Sequence, residues 1–401
     1  MRFLMPICLL ILLAGAAESA EPVKPNRDAA GYSMAKVGIL PITAGWGNPI
    51  VFTEQVIAFE GDANQLKAAN FEQQFTNCLT QLSFILRNVQ CDFTKLLRLN
   101  LYLESDQDRV RAQAYIDRLL PGTTSQTFVT GKLEHTNALV AMDAIGLTMI
   151  PKKSQRSTAQ RMNRLPQGRH GLVARLLMPQ RQLFISGQAV RADSLREATR
   201  ATMTQLGKLL RHMRLEWQDV VQVKSFMQPM SEVSSVSKEI SSFFETNRTP
   251  PQVFVEWTSK VPIEIELVVN GGAAEEGDPL VEYLTPPGMS ASPVFTRVVR
   301  VNRGKLIFTS SLYGPTDRGA KNEIRSIFEE LQLSMSVMGT DLNHLVKATY
   351  YVADNESSLL LNQLRPDYYD PKRPPAASKA AVRGAGLPNH RITLDMIGVA
   401  E

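Results

Sequence analysis

Between Arg181 and Asn270 the apolar positions change period several times, and the changes predict a complete set of elements. Leu183-Phe184-Ile185, closed by Ser186-Gly187-Gln188, reads as a short strand ending in a bend that glycine permits. From Ala198 to Met213, Ala201, Leu206, Leu209 and Leu210 recur near helical spacing while Arg200, Lys208 and Arg211 point elsewhere. Across Asp219 to Met227, Val221, Val223, Ser225 and Met227 alternate with more polar neighbours, the period of a half-buried strand. A second helix runs toward Phe243-Phe244 and is stopped by Pro250-Pro251. The runs Val253 to Trp257 and Ile263 to Val269 then close the unit as strands.

The same plan recurs on both sides. Leu82, Leu206 and Leu331 hold one place in a repeat of roughly 125 residues, each the same distance ahead of an apolar strand: Lys95 to Leu103, Asp219 to Met227, and His344 to Val352. A period of that length suits a whole domain better than a solenoid unit. Three homologous α+β domains are therefore expected, at 32–150, 171–270 and 294–401. They are joined by a basic linker, 151–170, and a second linker, 271–293, rich in Gly, Pro and Glu.

Composition adds little to this picture, and charge adds one feature. The 401 residues are 44% hydrophobic with a formal net charge of +5, ordinary for a globular chain. The first linker carries Lys152, Lys153, Arg156, Arg161, Arg164 and Arg169 without an acid. With no aromatic residue to stack on bases, it reads as a solvated connector rather than a nucleic-acid contact. The apolar run Phe3 to Ala17 after Arg2, followed by small residues, reads as a signal peptide over 1–20, so a secreted or periplasmic protein with no membrane segment after cleavage is expected. Cys78 and Cys91 fall on and just past one predicted helix, roughly 18 Å apart, too far for a disulfide. The five histidines show no metal-ligand spacing, and Ser186 lacks the Gly-x-Ser-x-Gly context of a hydrolase nucleophile. No metal and no cofactor are expected.

In order, Leu183 to Gln188, the Asp219 to Met227 strand, Phe243-Phe244, Pro250-Pro251 and Ile263-Glu264-Ile265-Glu266 resemble the RidA (YjgF) family of reactive-intermediate imine and enamine deaminases. The third unit resembles it through Leu306 to Ser310, His344 to Val352, Tyr368-Tyr369, Pro374-Pro375-Ala376 and Asp395 to Gly398, and the first unit is the faintest copy. The resemblance implies a chorismate-mutase-like α+β unit that assembles as a trimer with ligand clefts between subunits. For this chain it implies an intrachain pseudo-trimer that is a monomer in solution, its linkers making association intramolecular.

The resemblance also implies site residues. Family members hydrolyse 2-imino acids to 2-keto acids and ammonia, using an acid that holds the attacking water and an arginine that grips the substrate carboxylate. The acid carries over to Asp143, Glu266 and Asp395. The arginine does not: its place falls on Gln126, Gln252 and Ala377. Cleft positions carry over to Ser186, Gly187, Gln188, Ser310 and, weakly, Thr53. A polar residue of the second helix falls on Gln113, Ser237 and Asn362. Two functional classes follow, an imine or enamine hydrolase served by another cation, and a non-catalytic pseudo-trimer that binds a small ligand or a protein partner. For the three acids, ion pairing within the fold stands as the plain structural alternative.

Overall fold

The computed structural model describes residues 23–27, 31–37, 40–58, 70–120, 124–150 and 168–401. The expected signal peptide and most of the basic linker lie outside the described residues.

The chain is a mixed α+β structure built on three sheets. Three strands come first: β1 (Val23–Arg27), β2 (Tyr32–Val37) and β3 (Leu40–Gly45). The first repeat then runs β4 (Ile50–Thr53), β5 (Val56–Ile57), α1 (Phe71–Asn88), β6 (Leu96–Leu103), α2 (Asp108–Leu119), β7 (Ser125–Thr130) and β8 (Val140–Leu147). The second runs β9 (Ala174–Leu177), β10 (Gln182–Gln188), α3 (Leu195–His212), β11 (Val220–Met227), α4 (Val233–Ser241), β12 (Gln252–Glu256) and β13 (Ile263–Asn270), with β14 (Val281–Leu284) after it. The third runs β15 (Val298–Val301), β16 (Lys305–Thr309), α5 (Gly319–Val337), β17 (Leu345–Val352), α6 (Asn355–Leu364), β18 (Ala376–Ala381) and β19 (Ile392–Ala400).

The predicted helix at 198–213 starts three residues earlier, at Leu195, because Ser194 caps it: the Ser194 hydroxyl accepts from the Glu197 N–H at 3.2 Å. Leu82, Leu206 and Leu331 are each buried on the first helix of their repeat. Past that helix the chain takes a left-handed residue in every repeat, Gln90 (φ 55°), Arg214 (φ 59°) and Gly339 (φ 81°), the turn that aims it into the next strand.

In every sheet the strand after the second helix pairs parallel with the central strand, which pairs antiparallel with the last strand, which pairs with the strand before the first helix: β7-β6-β8-β4, β12-β11-β13-β10 and β18-β17-β19-β16. The next position is filled from a different repeat. β9 of the second repeat pairs with β4, β15 of the third pairs with β10, and β3, from the start of the chain, pairs with β16. Only four residues separate β9 from β10, yet the two lie in different sheets. Each sheet is thus completed by a strand of another repeat, and the first and last repeats are joined in the same way as consecutive ones.

One face of each sheet packs on its own helices, giving three separate apolar cores. The opposite faces meet one another. Phe52, Phe184 and Phe308 share one cluster with Leu97, Val221 and Val346, and Tyr102, Phe226 and Tyr351 share a second. This corrects the expectation of a half-buried strand at 219–227. All eight residues of β11 are buried, because the face bearing Gln222 and Lys224 is covered by the other sheets. Cys78 and Cys91 are free and buried, and burial pushes both thiols up, Cys91 to about 12.

Candidate functional site

Between the two inter-sheet apolar clusters lies a layer of polar side chains around a cavity of about 20 Å³, lined by Arg98, Asn100, Asp143, Gln222, Lys224, Glu266, Lys347 and Asp395. Register explains it. Asn100 stands opposite Asp143, Lys224 opposite Glu266 and Thr349 opposite Asp395, so the central and last strands of each repeat contribute equivalent positions. The charges pair across repeats. Arg98 of the first donates to the Asp395 carboxylate and the Met396 carbonyl of the third, and at 3.1 Å to Thr309 O. Lys347 Nζ of the third stands 2.7 Å from Glu266 Oε1 of the second, a charge contact rather than an aligned hydrogen bond. Asp143 accepts from Asn100 and Tyr102 within its own repeat and feels the charge of Lys224.

The structure therefore gathers Asp143, Glu266 and Asp395 into one buried layer instead of distributing them among three clefts. Burial pushes Asp395 up, but the charges of Arg98, Lys224 and Lys347 outweigh it and its carboxyl lies below the usual range. Burial dominates at Asp143, which is raised. Arg98 is the guanidinium that reaches an expected acid, and it does so as a fully internal ion pair. Each of the three acids is engaged by side chains inside the protein, Asp143 by Asn100 and Tyr102, Glu266 by Ser378 and Asp395 by Arg98.

The boundaries between repeats differ from one another. At the first, between repeats one and two, Glu54 follows Thr53 and is buried, accepting from the Arg169 N–H at 3.1 Å. Burial pushes its carboxyl up to about 8, against the pull of the Arg169 charge. Gln252 donates to the His170 carbonyl and, at 3.1 Å, to Ser237 Oγ, so the place of the family arginine is engaged with the chain itself. At the boundary of the third and first repeats, Ser310 Oγ accepts from the Gln126 N–H at 3.0 Å and Ser311 N donates to Gln126 O at 2.7 Å. Arg109 lies 3.5 Å over the Phe128 ring there. Gln113, on the second helix of the first repeat, accepts from Arg109 at 2.6 Å.

The remaining boundary, between repeats two and three, is built otherwise. Where the first repeat has Gln55 and the third Ser311, the second has Gly187, in the irregular stretch of β10 between Ile185 and Gln188. Glu264 lies against it: a Cβ on Gly187 would stand 2.0 Å from Glu264 Oε1. Glu264 is the residue that reasoning from sequence missed. It precedes Glu266 by two positions on β13, hence on the same face, and the corresponding positions hold Ala141 and Thr393. It is half-buried. Burial pushes its carboxyl up to about 7, opposed by the Ser378 hydroxyl and reinforced by the Glu266 charge. Ser378 Oγ itself donates to Glu266 Oε2 at 2.8 Å.

From the third repeat, Lys379 reaches this boundary. Its ammonium donates to Ser358 Oγ at 2.8 Å and to Asn362 Oδ1 at 3.2 Å. Burial, then the neighbouring Arg365 charge, hold it down to about 8 while Glu264 pulls it up. Ser186 and Gln188 are buried and satisfy each other, Gln188 Nε2 donating to Ser186 Oγ at 3.0 Å. An acid near 7 beside an amine near 8 can exchange protons at neutral pH. A larger groove of about 320 Å³ lies beside Trp217, Phe243 and Phe244.

Among solved structures, a YjgF-family protein from Neisseria meningitidis aligns at 20% identity over 30% of this chain and 95% of its own, with a TM-score of 0.23. A putative endoribonuclease from Thermotoga maritima aligns at 21% over 32% and 92%, TM-score 0.22. Escherichia coli TdcF, crystallised with bound serine, aligns at 19% over 24% and 81%, TM-score 0.21. No curated protein matches the chain. Residues 166–270, which hold the second repeat with Gly187 and Glu264, match the family model described as Endoribonuclease L-PSP.

Proposed function

We propose that the chain is an exported, intrachain pseudo-trimer of RidA-like units whose chemistry is confined to the cleft between the second and third, where it hydrolyses a small imine or enamine. The observation that carries this reading is Glu264 against Gly187, an acid poised near neutrality at the boundary of the second and third repeats. Strand exchange supports the pseudo-trimer, since every sheet needs a strand of another repeat.

The reaction needs a group that first accepts and then donates a proton. As carboxylate, Glu264 takes a proton from the water that attacks the imine carbon. The C–O bond forms and the C=N π pair moves to nitrogen. Glu264 then returns that proton to nitrogen, giving the carbinolamine. It next takes the hydroxyl proton and passes it to the amine nitrogen as the O–H pair forms C=O and the C–N bond breaks, so that a carbonyl compound and ammonia leave. A carboxyl near 7 serves both halves at neutral pH.

The test is hydrolysis of imines generated in situ by an amino-acid oxidase, followed as ammonia release. The reading expects Glu264→Gln to lose at least a hundredfold in rate while Glu266→Gln acts mainly through stability. A wild-type chain with no turnover, yet binding small amines in the same cleft, would leave the binding-protein alternative in its place.

A further inference from the structure

The groove of about 320 Å³ beside Trp217 is lined by the second repeat alone, through α3, the turn into β11 and the residues past α4, so it is separate from the boundaries between repeats. Its walls are aromatic. Trp217 meets Phe243 at 5.6 Å and 63° and Phe244 at 5.2 Å and 64°, both edge to face, and all three rings are half-buried. Leu210 and Leu215, both buried, line it as well.

The helix gives up propensity to hold the indole there. Gly207 lies within α3, where glycine is destabilising relative to alanine, and a Cβ on it would stand 2.9 Å from Trp217 Cζ2. The other repeats have Ser83 and Gln332 at this place, and Phe93 and Leu342 at the place of Trp217. In the third repeat the aromatic pair is used differently. Tyr368 stacks on Phe328 at 4.4 Å and 12°, the Tyr369 hydroxyl lies 2.9 Å from that of Tyr350, and Leu342 is buried. In the second repeat Met203 takes the place of Phe328, and Phe243 and Phe244 stand against Trp217 along the groove.

Charge at the exposed edge is balanced. Arg211 and Arg248 stand there with Glu216 and Glu245; Arg248 pairs with Glu245 at 2.8 Å, and Glu216 accepts from Gln218 at 2.9 Å. An incoming molecule therefore meets ring faces and edges but no net charge.

We infer that this groove is a binding site for a small, neutral, planar aromatic molecule, held by stacking and edge-to-face contacts with Trp217, Phe243 and Phe244. Its volume is at the small end for ligand pockets and suits roughly one or two fused rings. The site is independent of the reaction proposed at Glu264.

2-Naphthol, its saturated counterpart decahydro-2-naphthol and the anion 2-naphthoate, each titrated into the full chain while the Trp217 indole N–H resonance is followed, test this. That resonance is assigned by its loss in Trp217→Phe, and those of Trp46 and Trp257 serve as controls. 2-Naphthol is expected to bind saturably, at least tenfold tighter than decahydro-2-naphthol and at least threefold tighter than 2-naphthoate. It should lose at least fivefold in affinity in Phe244→Leu and in Gly207→Ala. Equal binding of the two alcohols to the wild-type chain overturns the site whatever the variants do, since apolar surface alone would then suffice. So does unchanged 2-naphthol binding in a Phe244→Leu variant that keeps the wild-type Trp46 and Trp257 resonances. Tighter binding of 2-naphthoate overturns the assignment to a neutral ligand.

Discussion

The Glu264 carboxyl lies on the Cα of Gly187, in space that any β-carbon at residue 187 would occupy. The other repeats place Gln55 and Ser311 at that position, and both are engaged with a neighbouring repeat. At this boundary the space beside residue 187 is taken by a carboxylate from the last strand instead of by its own side chain.

Gly187→Ala is expected to displace Glu264 at a stability cost of about 1–3 kcal/mol, the usual range for overpacking, and to abolish turnover while the fold persists. Gln55→Gly, the equivalent change at the first boundary, adds no acid there, and activity should not rise. Ammonia release and a denaturant titration on each variant check both statements.

The buried charge layer makes a different prediction. Arg98→Met leaves Asp395 without its nearest cation, and breaking one side of a buried pair costs about 3–5 kcal/mol. The double variant Arg98→Met with Asp395→Leu should recover most of that loss, because neither charge then needs a partner. Urea unfolding of the two single variants and the double gives the coupling directly.

Stability should also fall as pH rises from about 4.5 to about 8. Glu54 binds its proton more tightly folded than unfolded, so the folded state holds more protons in that window and loses ground with each increment of pH. The penalty is complete above the folded value of about 8 and absent below the unfolded one. Glu54→Gln should flatten this slope and stabilise the protein at pH 8 by a few kcal/mol, at about 1.4 kcal/mol per pKa unit. Melting curves across the window decide it.

Turnover should peak between the two shifted groups. It rises as Glu264 ionises near 7 and falls as Lys379 loses its proton near 8. For a carboxylate-bearing imine, Lys379→Gln should remove the alkaline limb and leave the acid limb in place, which a kcat/KM profile against pH would show.

Much of the fold was legible because it is local. Leu82, Leu206 and Leu331 announced the repeat through helical spacing, and the eight-residue strands β6, β11 and β17 announced themselves as continuous apolar or alternating runs. The strand exchange was not legible, since the four residues between β9 and β10 look like an ordinary hairpin loop and the true partner, β4, lies more than a hundred positions away. The site failed for a related reason. Glu264 and Glu266 share a face of one strand and differ only in depth, and depth depends on Lys347 and Ser378 arriving from another repeat.

Everything about the cleft requires that one chain supply both of its walls. Light scattering coupled to size exclusion measures this most directly. The account predicts the mass of a single chain, at most 44.5 kDa, and a particle of three chains would contradict it.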